Sequence, residues 1–264
     1  MTSDPSIALV LPAYNEERRL WSTLDAIAAY AHAQNLRLQL IVADDGSTDG
    51  TVETALARRA QMPSLDVISL PTRAGKGAAV RAGMLAAWAD IVGFADADLS
   101  TPLTELPRLL EPLLSGYDLT IASRALAQSR VVRAQPGYRR FGARVFRELA
   151  WMLGGLPGYP DSQCGFKFYW CVVARDLFGS TVLDRWMFDI KILRLAEHRG
   201  YRVAQVPVRW RNHPDSRLSL TIDTYRMVRD LLRIRLRFWR GAYGPRGRRV
   251  AARTARVPEP SDLR

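Results

Sequence analysis

The stretch Phe94-Ala95-Asp96-Ala97-Asp98-Leu99-Ser100-Thr101-Pro102 holds two carboxylates one residue apart. Residues i and i+2 of an extended segment project to the same side, so Asp96 and Asp98 can share one cation. Two hard oxygen donors suit magnesium or manganese, above all an ion carried on a diphosphate. A second reading of the same residues is structural: Asp98 or Ser100 caps a helix that opens at Pro102. Elsewhere, Gly75-Lys76-Gly77 sets an ammonium between two glycines, where backbone and side chain can both approach a phosphate. Arg124 offers a planar fork that matches phosphate oxygens at two points.

These residues need elements to position them, and the apolar pattern supplies them. Continuous apolar runs at Ile7–Leu11, Leu38–Ala43, Val67–Leu70, Ile91–Ala95 and Asp118–Ala122 read as buried strands. Helical spacing fills the gaps, at 16–33, 51–60, 78–88 and about 103–114. Strands alternating with helices at this rhythm predict an α/β fold with a mainly parallel sheet covered on both faces. Polar clusters follow each strand: Tyr14-Asn15-Glu16, Asp44-Asp45, Arg73 to Gly77, Asp96 to Asp98, and Ser123-Arg124. A parallel sheet gathers all of them at one edge, around a nucleotide-sized cleft with acids on one side and cations on the other.

The 264 residues are enough for one large domain with an appendage, and 48% hydrophobic with 24% charged residues is a globular composition. Cys164 and Cys171 form no C-x-x-C, so neither a zinc site nor a disulfide framework is predicted. No apolar run reaches 18 residues, and Met1–Pro5 lacks a basic segment leading into an apolar one. The expectation is therefore a cytoplasmic protein without a spanning helix. The net charge of +12 is concentrated at one end: residues 226–264 hold 12 arginines against Asp230, Glu259 and Asp262.

Four motifs in order, Leu11-Pro12-Ala13-Tyr14-Asn15-Glu16, Val42 to Thr51, Gly75-Lys76-Gly77 and Asp96-Ala97-Asp98, resemble the inverting family 2 glycosyltransferases of the GT-A (Rossmann-like) fold. Asp161 to Lys167, Arg185 to Asp189 and Ser216-Arg217-Leu218 extend the resemblance toward dolichyl-phosphate β-glucosyltransferases and their bacterial relatives. The resemblance implies a nucleotide-sugar donor site made of Pro12, Tyr14, Glu16, Asp44, Asp45, Lys76 and Asp96. Within it Tyr14 offers a ring for a base to stack on, Asp44 or Asp45 accepts from the base, and Glu16 holds ribose. Asp98, with Asp96 shared between metal and ribose, is implied as the ligand of Mg2+ or Mn2+. Ser47 and Asp49 read as turn and cap residues. Mannose-transferring relatives often carry Gln where this chain has Ser100, which leans toward UDP-glucose over GDP-mannose.

The implied acceptor is a polyprenyl phosphate. A phosphate monoester is ionised near neutral pH and needs cations more than a general base. Arg139 and Arg140 are the candidates to hold it, with Arg217, Arg130 and Arg133. Arg139 and Arg140 open an amphipathic pattern running to Met152, readable as a core-packing helix or a membrane-facing one. Asp189 stands where family members acting on hydroxyls place their base. It is a candidate catalytic residue with Arg124, and equally a favourable acid at a helix N-terminus. Cys164 reads as a small buried residue.

On a helix, Arg226, Arg229, Arg233, Arg237 and Arg240 fall within about 80° of arc. Two apolar flanks border them, Tyr225, Val228, Leu232, Leu236 and Trp239 on one side and Met227, Leu231, Ile234 and Phe238 on the other. Arg235 interrupts the apolar side, where its stem can snorkel. This is the pattern of a helix lying in an anionic membrane surface, and also of one packed on its own domain. The expected organisation is a glycosyltransferase domain over 1–220, a basic membrane-surface helix over 221–243 and a disordered tail over 244–264. Nucleic-acid binding through the basic tail would leave the acidic motifs of the first hundred residues without a role.

Overall fold

Strand β1 (Ile7–Ala13) shows how the molecule is layered. Ala8 and Val10 point into one apolar cluster and Ile7, Leu9 and Leu11 into another, on opposite faces of the sheet. The structure is a computed structural model that describes residues 5–62, 64–132, 148, 151–180, 185, 187–211, 222–247 and 249–250. Arg133, Arg139, Arg140 and Arg217 lie outside the described residues, as do most of the pattern after Arg140 and the tail beyond 250.

After β1 come α1 (Glu17–Ala33), β2 (Leu38–Asp44), α2 (Thr51–Arg59), β3 (Leu65–Ser69), α3 (Lys76–Ala86) and β4 (Ile91–Ala95). A 3-10 turn at Leu103–Glu105 leads into α4 (Leu106–Leu114) and β5 (Leu119–Ser123). The short β6 (Arg130–Val131) is followed by β7 (Phe166–Trp170), α5 (Cys171–Gly179), α6 (Phe188–Arg199), β8 (Val203–Pro207), β9 (Arg209–Trp210) and α7 (Ile222–Trp239). The seven-stranded sheet runs β3-β2-β1-β4-β7-β5-β8, and β6 pairs with β9 separately. Every pairing in the large sheet is parallel except those of β7, which runs antiparallel to both β4 and β5.

Both faces are covered. On one, α1 presents Leu20, Leu24 and Ile27 at helical spacing and α4 presents Leu106, Leu109 and Leu113, all buried. The other face carries α3, α5 and α6, together with Leu231 and Ile234 of α7. Full burial of a leucine or isoleucine contributes about 1.5–3 kcal/mol, so these rows fix the helices to the sheet.

The structure departs from the sequence reading at two elements that matter for the site. Helix α3 begins at Lys76, two residues earlier than the apolar pattern indicates. Gly75 sits at φ 112°, a region open to glycine, and so turns the chain straight into the helix. Lys76 is thus a helix-opening residue, not part of a loop. The second departure is β7, an aromatic strand that the alternation of strands and helices does not predict.

Helix α7 packs on its own domain through one apolar flank and leaves the other exposed. Leu231 and Ile234 are buried in the core, and Met227 and Phe238 pack against it. Leu232, Leu236 and Trp239 are exposed at 50%, 42% and 82%. Arg235 is exposed, and its guanidinium donates to the Met152 carbonyl at 2.6 Å. Among the described residues no helix is long and apolar enough to cross a membrane.

Candidate active site

The carboxyl ends of β1, β2, β4 and β5 open on one edge of the sheet. Because β7 is antiparallel, its start lies at that edge too, and brings the segment Asp161–Gly165 there. Asp96 follows β4 directly, and its backbone N–H donates to the Gly165 carbonyl at 3.1 Å. Gly165 also makes room for the side chain. A Cβ built there would stand less than 2.5 Å from Cγ and both oxygens of the Asp96 carboxylate. This is a backbone cradle for one carboxylate, and only glycine leaves it open.

Lys76 reaches this carboxylate from the first turn of α3, with Nζ 2.5 Å from Asp96 Oδ1. Burial alone would lower the Lys76 ammonium, but Asp96, Asp189 and Asp98 together hold it above the ordinary lysine value. One ammonium thus pairs with Asp96 and feels the charge of two further acids, Asp98 after β4 and Asp189 in α6. Asp98 accepts from the Ser100 N–H at 2.9 Å, a turn bond two residues on, and the helix cap foreseen for Asp98 or Ser100 is not made: neither the 3-10 turn at Leu103–Glu105 nor α4 has a side-chain cap.

Beneath this layer is a buried ion pair that the sequence reading did not single out. Lys167, wholly buried in β7, pairs with Asp189 at the start of α6 and donates to the Ser162 carbonyl at 2.9 Å. Its ammonium stands 5.4 Å from the centre of the Phe94 ring, and Phe94 packs on Phe188. Burial, aided by the charge of Asp96, raises the Asp189 carboxyl above the usual range even though Lys167 and Lys76 pull it down. The signal available in the sequence was a single charge inside Phe166-Lys167-Phe168-Tyr169-Trp170.

Arg124 is placed at the end of β5 but differs from the expectation of a fork open to a diphosphate. Its guanidinium already grips Asp161 at two points, Nε to Oδ2 at 2.7 Å and Nη2 to Oδ1 at 2.8 Å, and stacks on Trp210. The Arg124 backbone N–H donates to the same carboxylate at 2.8 Å. Burial would raise the Asp161 carboxyl, but Arg124 and Lys167 hold it below the usual range. Cys164 is buried, as foreseen, and burial pushes its thiol up to about 11, leaving it an inert packing residue.

The residues foreseen for a base and ribose sit along the same edge, and several already tie loops together. Asp45 accepts from the Ala74 and Gly75 N–H groups at 2.8 and 2.7 Å, anchoring the turn that launches Lys76. Asp44 accepts from Ser69 Oγ at 2.8 Å and from Ser47. The Tyr14 ring lies 4.1 Å beneath the Arg73 guanidinium, and Glu16 pairs with Arg19 at 2.5 Å. Pro12 lies within β1, in register with Ala43. Ser47 and Asp49 have the turn and cap roles read from the sequence: Asp49 accepts from the Thr51 N–H at 3.1 Å, and Ser47 Oγ accepts from the Asn15 N–H at 2.8 Å. Arg130, on the short β6, is exposed.

The donor set fits a divalent cation brought in by a ligand. Among the described residues no group of three or more His, Cys, Asp or Glu gathers to hold an ion alone. The edge offers two hard carboxylates, Asp96 in its glycine cradle and Asp98, and a hard cation must take its remaining oxygens from elsewhere. A diphosphate would supply them, and Lys76 stands beside Asp96 where its charge could be met.

Known proteins resemble this chain in sequence and in fold. A family model described as glycosyl transferase family 2 matches residues 8–177. The chain is similar to the dolichyl-phosphate beta-glucosyltransferase of Drosophila melanogaster, at 34% identity over 92% of this chain and 79% of the relative. Similarity to the human dolichyl-phosphate beta-glucosyltransferase is 30% over 90% of this chain and 77% of the relative. Among solved structures, glucosyl-3-phosphoglycerate synthase from Mycobacterium tuberculosis was crystallised with Mn2+, UDP-glucose and phosphoglyceric acid. It matches with a TM-score of 0.66 at 25% identity, over 89% of this chain and 79% of that one.

Proposed function

The chain belongs to glycosyl transferase family 2 and is a nucleotide-sugar-dependent glycosyltransferase; from that premise we propose that it transfers glucose from UDP-glucose to a polyprenyl or dolichyl phosphate, inverting the anomeric carbon to give a β-linked lipid phosphosugar. What carries this reading is the similarity to dolichyl-phosphate beta-glucosyltransferases across nine-tenths of the chain. The acid-lysine cluster at the strand edge provides the machinery it requires.

The donor lies along the edge from β2 to β4. Tyr14, Asp44 and Asp45 flank the base, with Pro12 in the β1 floor and Glu16 toward the ribose. Asp96 and Asp98 would hold Mg2+ or Mn2+, which as a Lewis acid would offset the charge that builds on the departing diphosphate. Lys76 lies against the same oxygens, and its raised proton affinity keeps it cationic throughout. The acceptor phosphate is already an anion and attacks the anomeric carbon through one oxygen while the bond to the diphosphate breaks. No proton need be removed, so Asp189 has no base to play. Locked to Lys167, it instead fixes the floor under Asp96 and the sugar. Arg124, held by Asp161, is part of the wall and acts on the diphosphate at most through its charge. Arg139, Arg140 and Arg217 remain candidates to hold the acceptor phosphate.

A lipid acceptor stays in the bilayer, so the protein works as a peripheral enzyme on the cytoplasmic membrane face, docked through the exposed flank of α7. The test is a panel of labelled UDP-glucose and GDP-mannose, each with polyprenyl phosphate or 3-phosphoglycerate, with and without Mn2+. Transfer from UDP-glucose to the prenyl phosphate is the expected result. Preference for GDP-mannose would overturn the donor assignment, and transfer to 3-phosphoglycerate alone would overturn the lipid acceptor.

A further inference from the structure

Outside the donor edge, a cavity of about 530 Å3 lies between the start of α6 and the outer side of α7. Six cations line it: Arg185, Lys191, Arg229, Arg233, Arg237 and Arg240. Among the described lining residues one carboxylate, Asp230, is shared between Arg229 at 3.3 Å and Arg233 at 3.8 Å. The described lining residues thus leave a net charge of five around one concavity. Its floor is apolar, built from Met187, Phe188 and Ile234, all buried. Low-dielectric walls of this kind focus the field of surrounding cations and draw an anion in.

The cavity is separate from the donor edge. Met187, Phe188 and Lys191 share one face of the first turn of α6, whereas Asp189 points to the far side, into its pair with Lys167. The rim discriminates between possible anions. Leu236 lines the cavity, and with Leu232 and Trp239 it forms an exposed apolar ridge directly beside Arg233, Arg237 and Arg240. A soluble phosphate ester makes no use of such a ridge. A phospholipid presents a phosphodiester and hydrocarbon side by side, matching both halves.

We infer that this cavity is a binding site for the headgroup phosphate of an anionic phospholipid, with the Leu232–Leu236–Trp239 ridge resting in the adjoining acyl region. The inference rests on the reading of the protein as an enzyme of a membrane-borne acceptor, and adds a defined site to what would otherwise be diffuse attraction. Diffuse attraction counts charges wherever they sit near the surface, whereas a site depends on which charges are removed.

The experiment compares two charge-matched variants of the full chain, Arg233→Gln/Arg237→Gln in the cavity and Arg18→Gln/Arg246→Gln outside it. Binding is measured to vesicles of phosphatidylcholine alone and of phosphatidylcholine mixed with phosphatidylglycerol. Two cations at roughly 1 kcal/mol each correspond to about a 30-fold loss of affinity for the mixed vesicles. That loss is expected for the cavity pair, with little change for the outside pair. Arg240→Gln alone provides a milder version, with about a fivefold loss, should the double variant unfold early in a melting scan. Equal loss from both pairs, or equal wild-type binding to both vesicles, overturns the site and leaves the proposed enzyme untouched. Glycerol phosphate binding in solution as tightly as the vesicles overturns the lipid source. Loss of transfer to a short, water-soluble prenyl phosphate in the cavity variant reassigns the cavity to the acceptor and also overturns the inference. Failure of the proposed activity would show separately, as a wild-type protein that transfers no sugar to any prenyl phosphate.

Discussion

Adding one methyl group at Gly165 tests whether the position of Asp96 governs the reaction. In Gly165→Ala the new Cβ meets Cγ and both oxygens of Asp96 at under 2.5 Å, where ordinary contact begins at 3.4 Å. Something must retreat by about 1 Å. The backbone is poorly placed to do so, because Asp96 N–H is bonded to Gly165 O and the adjoining residues Ala95 and Phe166 are paired in the sheet. The carboxylate therefore moves, and its 2.5 Å contact with Lys76 goes with it. Overpacking of this kind costs about 1–3 kcal/mol of stability. A 1 Å misplacement of a positioning group lowers kcat/KM by about 100-fold, or about 2.7 kcal/mol in the barrier. The assay pairs initial rates of sugar transfer with urea denaturation, in wild-type and Asp96→Ala backgrounds. Without the Asp96 carboxylate the methyl group meets nothing, so its stability cost should disappear, giving a coupling of about 1–3 kcal/mol. An equal stability cost in both backgrounds would refute the steric argument. A variant within twofold of wild-type activity would refute the role of the carboxylate's position.

Lys167→Met should destabilise the protein by about 3–5 kcal/mol in urea denaturation, because it strands a buried carboxylate; adding Asp189→Leu should recover most of that loss. The Asp189 carboxyl is raised in the folded protein, so it weakens stability as pH rises from the unfolded carboxylate range through its higher folded value. Lys167→Met should steepen that decline, and denaturation midpoints across the acid range will show it. Asp98→Asn should lower kcat far more than donor affinity, and full turnover in excess chelator would contradict a metal held by Asp96 and Asp98. On α7, Leu231→Ala should cost about 2–5 kcal/mol and Leu232→Ala less than about 0.5, since only the first is buried; equal effects in thermal denaturation would contradict the division of its flanks.

Much of the first half of the molecule was legible because each apolar run ends in a polar cluster, and a parallel sheet sends every such cluster to one edge. Tyr14, Asp45, Lys76 and Asp96 could be grouped on that basis alone. Strand β7 was hidden because Trp170 passes directly into Cys171 and α5 with no turn residue between them. The start of α3 was misplaced because glycines on both sides of Lys76 read as loop, whereas Gly77 is buried inside the helix. The partners Arg124–Asp161 and Lys167–Asp189 lie 37 and 22 residues apart, and no local pattern sets the register that joins them. For α7 the periodicity defined two apolar flanks equally well. Which one faces inward depends on the shape left open by Gly154 and Ile190, where Leu231 inserts.

The manner in which α7 is attached has a mechanical meaning. Leu231 and Ile234 bed it in the same core as Ile190 of α6, one residue beyond Asp189 and its ion pair with Lys167. Its outer flank and the strand edge that carries Asp96 are thereby joined through one shared core. Whatever surface takes up that flank sets the tilt and standoff of the cleft at the moment of contact. Weakening the contact would change how often the protein lands, but not the angle at which it lands.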